Sequence, residues 1–209
     1  MAPTGTWRDL PIATRTPVSV QITGALVGAL AGAAAAIGGG IGHHFGLLSI
    51  IVVTIGMATV TSVAGWAAAI DLIEQRLPNR LIYPLIPATA LIAIVLAIVV
   101  GQPRRISAAV VAGIIVAGLF LLIALTIPSA LGMGDAKYAL PLAMAAGWWS
   151  YPTAAWMVID AIVIGGVAAI GLLLARRADR RSHIPFGPFL LCGLILAIGW
   201  NATASPFSW

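Results

Sequence analysis

Four acidic residues lie in or beside apolar segments of this chain: Asp71, Glu74, Asp135 and Asp160. A carboxylate near hydrocarbon is costly to hold, so each of the four is a candidate functional group. Asp135 directly follows Gly132-Met133-Gly134, and glycines allow a backbone or a substrate to approach closely. A carboxylate beside two glycines, if water reaches it, predicts a hydrolytic site.

Two aspartates that meet in a fold can hydrolyse a carbonyl compound by general acid–base catalysis. One ionised carboxylate takes a proton from water, while the protonated partner donates a proton to the carbonyl oxygen. At about 5 Å and an effective dielectric of about 20, two carboxylates repel each other by about 3 kcal/mol, so the pair titrates as a unit. Asp71 and Asp135 are the candidates for such a pair. The alternative is that Asp71 pairs with Arg76 at a helix end, while Asp135 pairs with Lys137.

The composition indicates what must hold these residues. Of all 209 residues, 61% are hydrophobic and only 8% are charged, whereas a soluble domain is about half apolar and about a quarter charged. This excludes a soluble globular protein. The single cysteine, Cys192, excludes an intrachain disulfide framework and a multi-cysteine zinc site. We expect Cys192 to be buried within a helix, and we predict neither a metal nor a cofactor.

Seven apolar stretches could cross about 30 Å of hydrocarbon as helices. They lie at 18–42, 46–70, 81–101, 106–127, 136–149, 151–175 and 186–203. The first is too long for a signal-peptide core, which predicts a retained helix. Its Gly24, Gly28 and Gly32 share one face, a pattern that allows close helix packing. The predicted fold is therefore all-α, a polytopic membrane protein of about seven transmembrane helices.

The basic residues predict the orientation of these helices. With the N-terminus in the cytoplasm, the cytoplasmic segments are 1–17, 71–80, 128–137 and 176–185. They hold nine of the eleven Lys and Arg residues, and only Arg104 and Arg105 fall outside. Short cytoplasmic loops are enriched in Lys and Arg. We therefore expect a multi-pass plasma-membrane protein with Asp71 and Asp135 in cytoplasmic loops and the C-terminus outside.

The depth of Asp135 is estimated from Trp148, Trp149 and Tyr151, which resemble an aromatic belt at the outer interface. Asp135 precedes Trp149 by 14 residues, which is about 21 Å of helix. Because the hydrocarbon is about 30 Å thick, Asp135 is predicted to be submerged by several Å. Irregular backbone at that depth requires surrounding protein or a water-filled cavity.

Three motifs lie in order along the chain, at residues 71–81, 132–137 and 184–189, and together they resemble those of the type IV prepilin peptidases. The run from Asp71 to Leu81 is similar to the family's first motif, and Gly132-Met133-Gly134-Asp135-Ala136-Lys137 is similar to its GxGD motif. Ile184-Pro185-Phe186-Gly187-Pro188-Phe189 is similar to the segment that opens the family's last helix. The resemblance covers about residues 46–203, and each motif lies at a predicted cytoplasmic boundary.

The resemblance implies a membrane-embedded aspartic endopeptidase that removes the short basic leader of prepilins or pseudopilins on the cytoplasmic side. It implies that Asp71 and Asp135 are the catalytic pair. The residues it implies as shaping or supporting the site are Gly132, Gly134, Lys137, Pro78, Asn79, Gly187 and Pro188. The expected partners are a prepilin or pseudopilin precursor and the lipid bilayer, and no nucleic acid.

The resemblance also predicts how the chain is organised. A cytoplasmic tail (1–17) precedes an extra transmembrane helix (18–42), a six-helix peptidase-like membrane domain (46–203) and a short C-terminal tail (204–209). Many bacterial members of the family carry a tetracysteine zinc domain linked to N-methylation, and this sequence has one cysteine. We therefore expect a peptidase without methyltransferase activity, similar to the compact enzymes of Tad-type pili or archaeal-type filaments.

Two other functions compete with this one. Proteases of the presenilin or signal-peptide-peptidase type pair GxGD with a Tyr-Asp motif and a Pro-Ala-Leu motif, but Ile70 precedes Asp71 here and Pro-Ala-Leu is absent. A transporter or proton channel could use Asp71, Asp135 and Asp160, but inverted repeats or paired broken helices are not visible in the sequence. For Asp160 we favour a buried hydrogen bond to another helix over a role in the site. For His43-His44 we favour an exposed turn over a metal pair.

Overall fold

The computed structural model describes residues 16–127, 131–175 and 185–203, with side chains as far as Trp200. Within these ranges the chain forms seven helices and no strand. They are α1 (Val18–Gly42), α2 (Leu47–Glu74), α3 (Asn79–Val100), α4 (Arg104–Thr126), α5 (Met133–Trp149), α6 (Tyr151–Leu174) and α7 (Gly187–Thr203). The predicted all-α fold is confirmed. The predicted tails at 1–17 and 204–209 lie almost wholly outside the described residues, as does the arginine-rich segment 176–184.

The lengths of the helices indicate a multi-pass membrane protein. Five of them, α1, α2, α3, α4 and α6, are long and apolar enough to cross a membrane. The other two, α5 and α7, have 17 residues each, which is about 26 Å of helix against about 30 Å of hydrocarbon. Most residues of α5 are buried by protein, so this helix need not match the thickness of the bilayer.

Hydrogen bonds from buried aromatic side chains hold α5 at the centre of the bundle. Tyr138 is fully buried, and its hydroxyl donates to the backbone oxygen of Ala64 on α2 over 2.9 Å. At the other end of α5, the indole Nε1 of Trp148 donates to the backbone oxygen of Ala93 on α3 over 3.1 Å. Because a buried polar group without a partner is costly, these two bonds fix the position of α5 against α2 and α3.

The expected aromatic belt is wrong for Trp148 and Trp149, both of which are fully buried. The Arg105 guanidinium lies 4.7 Å from the Trp148 ring centroid, and Phe45 stacks on Trp149 with centroids 6.2 Å apart. Protein rather than headgroup therefore surrounds these indoles. Only Tyr151 is exposed, at 40%. The depth predicted for Asp135 was counted from Trp149 as an interface residue, so that estimate no longer holds.

The glycine face of α1 packs closely against α2, as predicted. A Cβ built on Gly24 would lie 2.6 Å from the Gly65 carbonyl oxygen, and one built on Gly28 would overlap the Thr61 carbonyl. On Gly32 it would lie 2.7 Å from the Thr61 Cβ. These contacts leave no space for a side chain, so small residues permit the approach of the two helices.

The start of α1 is also fixed to the end of α2. The backbone nitrogen and the hydroxyl of Thr16 donate to Glu74 Oε1 over 3.2 Å and 2.9 Å. Gln21 donates to the Thr16 carbonyl over 2.9 Å and accepts from Trp66 Nε1 over 2.8 Å. The helix at 18–42 is therefore part of the same bundle as the helices that carry the motifs.

The connections gather into two groups at opposite ends of the bundle. The end of α2, the start of α3, the start of α5 and the start of α7 surround one cavity, and we call this the Asp71 end. The end of α1, the connection from α3 to α4 and the start of α6 surround another, and we call this the Arg105 end.

Candidate active site

Asp71 lies in the last turn of α2 rather than in the predicted loop 71–80. The helix continues to Glu74 and ends where Gln75 adopts a left-handed conformation, with φ of 51°. The Asp71 side chain is 4% exposed. Its Oδ2 accepts a hydrogen bond of 3.1 Å from the backbone nitrogen of Gly187, at the start of α7. A Cβ built on Gly187 would lie 2.8 Å from that oxygen, so a glycine fits best here.

Asp135 lies in the first turn of α5, whereas the sequence placed it in a loop. Its Oδ2 accepts a hydrogen bond of 3.2 Å from the backbone nitrogen of Gly132, the N-cap residue. The positive end of the helix dipole favours a carboxylate at this position. Asp135 is 7% exposed, and a Cβ built on Gly132 would lie 3.2 Å from its Oδ2. The spacing of the motif therefore both caps the helix and holds the carboxylate.

The two aspartates line one cavity of about 290 Å³ at the Asp71 end. The lining comes from the first motif, the GxGD motif and the segment before α7: Asp71, Gln75, Arg76, Leu77, Asn79, Gly132, Met133, Gly134, Asp135, Lys137, Pro185 and Phe186. Because a water molecule occupies about 30 Å³ of liquid, this cavity has room for several waters or for a peptide bond. The structure thus brings together two buried carboxylates that separate helices supply.

The alternative pairing of these carboxylates with basic neighbours is not seen. Lys137 donates from Nζ to the Tyr83 hydroxyl over 3.0 Å and lies 5.2 Å from the centre of that ring. Lys137 is thereby bonded to α3 rather than to Asp135. Arg76 is exposed and makes no ion pair within the part of the chain that the structure describes. Both aspartates therefore lie in the cavity without the salt bridges to Arg76 and Lys137 that the alternative interpretation required.

The remaining predicted site residues lie at helix starts around the cavity. Pro78 is the N-cap residue of α3, and Asn79 begins that helix and lines the cavity. Pro188 is in the first turn of α7, where proline is well tolerated. Pro78 and Pro188 do not line the cavity. They lie at the starts of α3 and α7 instead.

Leu77 and Tyr138 are two residues near the site that sequence reasoning missed. The Leu77 side chain packs between two motif glycines, 3.4 Å from a Cβ built on Gly134 and 3.2 Å from one built on Gly187. Tyr138 lies three residues after Asp135 and bonds α5 to α2, the helix of Asp71. In the sequence, Leu77 is marked only as an apolar residue within a polar connection, and Tyr138 only as a tyrosine within an apolar helix.

Asp160 lies on α6, outside the cavity lining. Its Oδ2 is buried and has no hydrogen-bond partner among the described residues. The interpretation as a buried hydrogen bond to another helix is therefore wrong.

The expectations for His43 and Cys192 are also wrong, while that for His44 is confirmed. His44 is exposed in the turn with φ of 55°. His43 is half-buried and stacks on Phe45, with ring centroids 5.6 Å apart. Burial lowers the pKa of His43 below its usual range, and nearby Arg105 and then His44 lower it further. Cys192 is exposed because it lies on the outer face of α7.

A comparison with known protein families shows which family this chain belongs to. A model described as the type IV leader peptidase family matches residues 58–174, which is more than half of the sequence and includes Asp71 and Asp135. The chain belongs to this family. The suspected relationship is therefore confirmed, and the protein is a leader-peptidase-like protease. The match includes neither α1 nor α7. No curated protein and no solved structure matches the chain.

Proposed function

We propose that this leader peptidase is an aspartic endopeptidase in which Asp71 and Asp135 are the catalytic pair. The observation that carries the proposal is that the two buried carboxylates, held by α2 and α5, line one cavity of about 290 Å³. Backbone N–H groups hold one oxygen of each: Gly187 donates to Asp71, and Gly132 donates to Asp135. Fixed donors of this kind orient carboxylates before a substrate arrives.

Hydrolysis at such a pair proceeds by two proton transfers. The ionised carboxylate takes a proton from water as the water oxygen attacks the scissile carbonyl carbon, and the protonated carboxylate donates to the carbonyl oxygen. The tetrahedral intermediate then collapses as the C–N bond breaks. The carboxylate that took the first proton gives it to the leaving amine, and the carbonyl re-forms as the other carboxylate recovers its proton. The repulsion between two nearby carboxylates supports this division of roles, because it disfavours the doubly ionised state.

The substrate in this proposal is the N-terminal segment of a prepilin- or pseudopilin-type precursor, with a basic leader followed by an apolar helix. The apolar helix enters the bilayer beside the enzyme and holds the scissile bond at the depth of the two aspartates. The cytoplasmic side is supported by Arg76, Arg80 and Lys137 at the Asp71 end, because Lys and Arg favour the cytoplasmic ends of membrane helices. Cleavage releases the leader, and the new N-terminus of the mature pilin is left unmethylated.

Co-expression with a prepilin from the same genome tests the proposal. The prepilin mass and its new N-terminus are compared for wild type, Asp71→Asn and Asp135→Asn. Asp160→Asn is the matched control, because it changes a carboxylate outside the cavity. We expect cleavage by wild type and the control and none by the other two. Cleavage that survives either cavity substitution would overturn the mechanism, and a methylated product would overturn the peptidase-only assignment.

The transporter or proton channel considered from the sequence is not favoured, because the chain belongs to a peptidase family. It would use Asp71, Asp135 and Asp160, yet Asp160 does not line the cavity with the other two. Purified protein in liposomes separates the two functions, because proton flux without cleavage of any prepilin would favour transport.

A further inference from the structure

A second and larger cavity, of about 610 Å³, lies at the Arg105 end of the bundle. Its lining residues are His43, Gly101, Gln102, Pro103, Arg104, Arg105, Ser107, Ala108 and Tyr151. Two arginines and a histidine are among them, and no carboxylate of the described chain is. The proposed peptidase mechanism makes no use of this cavity, because the two aspartates lie at the other end of the helices.

Arg105 places a buried positive charge beside this cavity, because its side chain is only 3% exposed. Nε donates to Gln102 Oε1 over 2.6 Å, and Nη1 donates to the backbone oxygens of Trp148 and Trp149 over 3.0 Å and 3.3 Å. Within the described chain, Nη2 makes no hydrogen bond, and every acceptor of the guanidinium is neutral. A buried cation without a counter-charge is costly, and the carbonyls at the end of α5 offset this only in part.

The start of α4 adds positive potential to the same cavity. Helix α4 begins at Arg104 with no side-chain cap and no acidic residue in its first turn, so its dipole presents a partial positive charge. The Arg104 side chain is exposed and makes no hydrogen bond to a described residue. The Ser107 hydroxyl also lines the cavity. Two guanidinium groups and a helix N-terminus therefore converge on one space.

We propose that the cavity at the Arg105 end binds a phosphate group. The planar fork of Arg104 can donate in parallel to two phosphate oxygens. Nη2 of Arg105 can add a further donor, because Nε and Nη1 of that residue are already bonded, and the positive end of the α4 dipole favours an anion. The source of the phosphate is either a phospholipid headgroup or a small soluble phosphate. The headgroup is favoured because the cavity lies at the ends of membrane-spanning helices, at the level of the exposed Tyr151, where headgroups meet protein.

The test uses the full chain, purified in a neutral detergent, with two separate probes. One is inorganic phosphate, and the other is phosphatidylglycerol added to the micelles. Binding is followed by thermal melting for both probes and by native mass spectrometry for retained lipid. Arg104→Gln removes an exposed cation from the cavity and should still fold. Arg80→Gln is the matched control, because it removes an exposed cation at the Asp71 end.

We expect phosphatidylglycerol to raise the melting temperature of wild type and Arg104→Gln to weaken its binding about tenfold, the size of one lost charged hydrogen bond. Arg80→Gln should bind like wild type. Binding of phosphatidylglycerol alone assigns the site to a lipid headgroup, and binding of inorganic phosphate assigns it to a soluble phosphate. The proposal is overturned if wild type binds neither probe, or if both substitutions weaken binding equally, since binding would then follow net charge.

Discussion

Replacing Gly187 with alanine should slow the proposed peptidase without unfolding it. The added Cβ would lie 2.8 Å from Asp71 Oδ2 and 3.2 Å from Leu77 Cδ2. An ordinary carbon–oxygen contact is about 3.3 Å or longer, so Gly187 and Asp71 must separate by at least about 0.5 Å. Their hydrogen bond, now 3.1 Å, would then exceed the normal range of about 2.7–3.2 Å.

The loss can be estimated from that single bond. A hydrogen bond to a charged group contributes about 1.5–3 kcal/mol, and each 1.36 kcal/mol of barrier is about tenfold in rate. If the bond holds the Asp71 carboxylate in its reactive position, Gly187→Ala should lower kcat about 10- to 100-fold. Gly132→Ala should have a smaller effect, because its Cβ would lie 3.2 Å from Asp135 Oδ2, where a slight shift relieves the contact.

The assay measures the initial rate of prepilin cleavage at saturating and limiting substrate, with a melting curve for each variant. Gly166→Ala is the control, because it is also in a helix and nothing lies within 4 Å of its Cβ position. We expect Gly166→Ala to be the most active of the three variants, Gly132→Ala to be less active and Gly187→Ala to be the least active. The reasoning is refuted if Gly187→Ala cleaves at the wild-type rate, or if Gly166→Ala loses as much activity.

Three further outcomes follow from the packing. Tyr138→Phe removes the buried bond from α5 to a backbone carbonyl of α2, so we expect about 1 kcal/mol less stability and a melting temperature below that of wild type; equal stability would contradict this role. Gly28→Leu forces a side chain against the α2 backbone and should cost about 1–3 kcal/mol or more; an unchanged melting temperature would show that α1 does not pack as described. The pKa of His43 is lowered by burial, then by Arg105 and His44. As the pH falls through about 6.5, His43 is therefore protonated in the unfolded chain before it is protonated in the folded chain. Protonation then favours the unfolded state, so stability is lost on acidification. Melting temperatures at about pH 7.5 and about pH 5.5 should therefore differ less for His43→Gln than for wild type, and an equal difference would exclude this contribution.

Several local features were predictable because they depend on residues that are close in the sequence. The helix predicted at 18–42 is observed with those bounds, since a long apolar run in hydrocarbon must satisfy its backbone hydrogen bonds internally. The spacing in Gly132-Met133-Gly134-Asp135 sets an N-cap and its carboxylate acceptor within one turn. The three motifs likewise led to the family from residue identity alone.

The wrong predictions for Trp148, Trp149 and Cys192 concern which side of a helix faces protein. Trp148 and Trp149 were expected at an interface and are buried, whereas Cys192 was expected to be buried and is exposed. In a soluble helix, polar residues mark the outer face. In a membrane helix, lipid and the bundle interior are both apolar, so the sequence carries little information about orientation around the helix axis.

The sequence by itself determined the helices, the family and the four carboxylates from which the candidate pair was chosen. Only the tertiary structure decided that Asp71 and Asp135 line one cavity and Asp160 does not. Gly187 donates to Asp71 from 116 residues away, and Arg105 reaches the end of α5 from the start of α4. These contacts depend on how separate helices pack against one another. Helix packing is a property of whole surfaces in three dimensions, which no local pattern along the chain encodes.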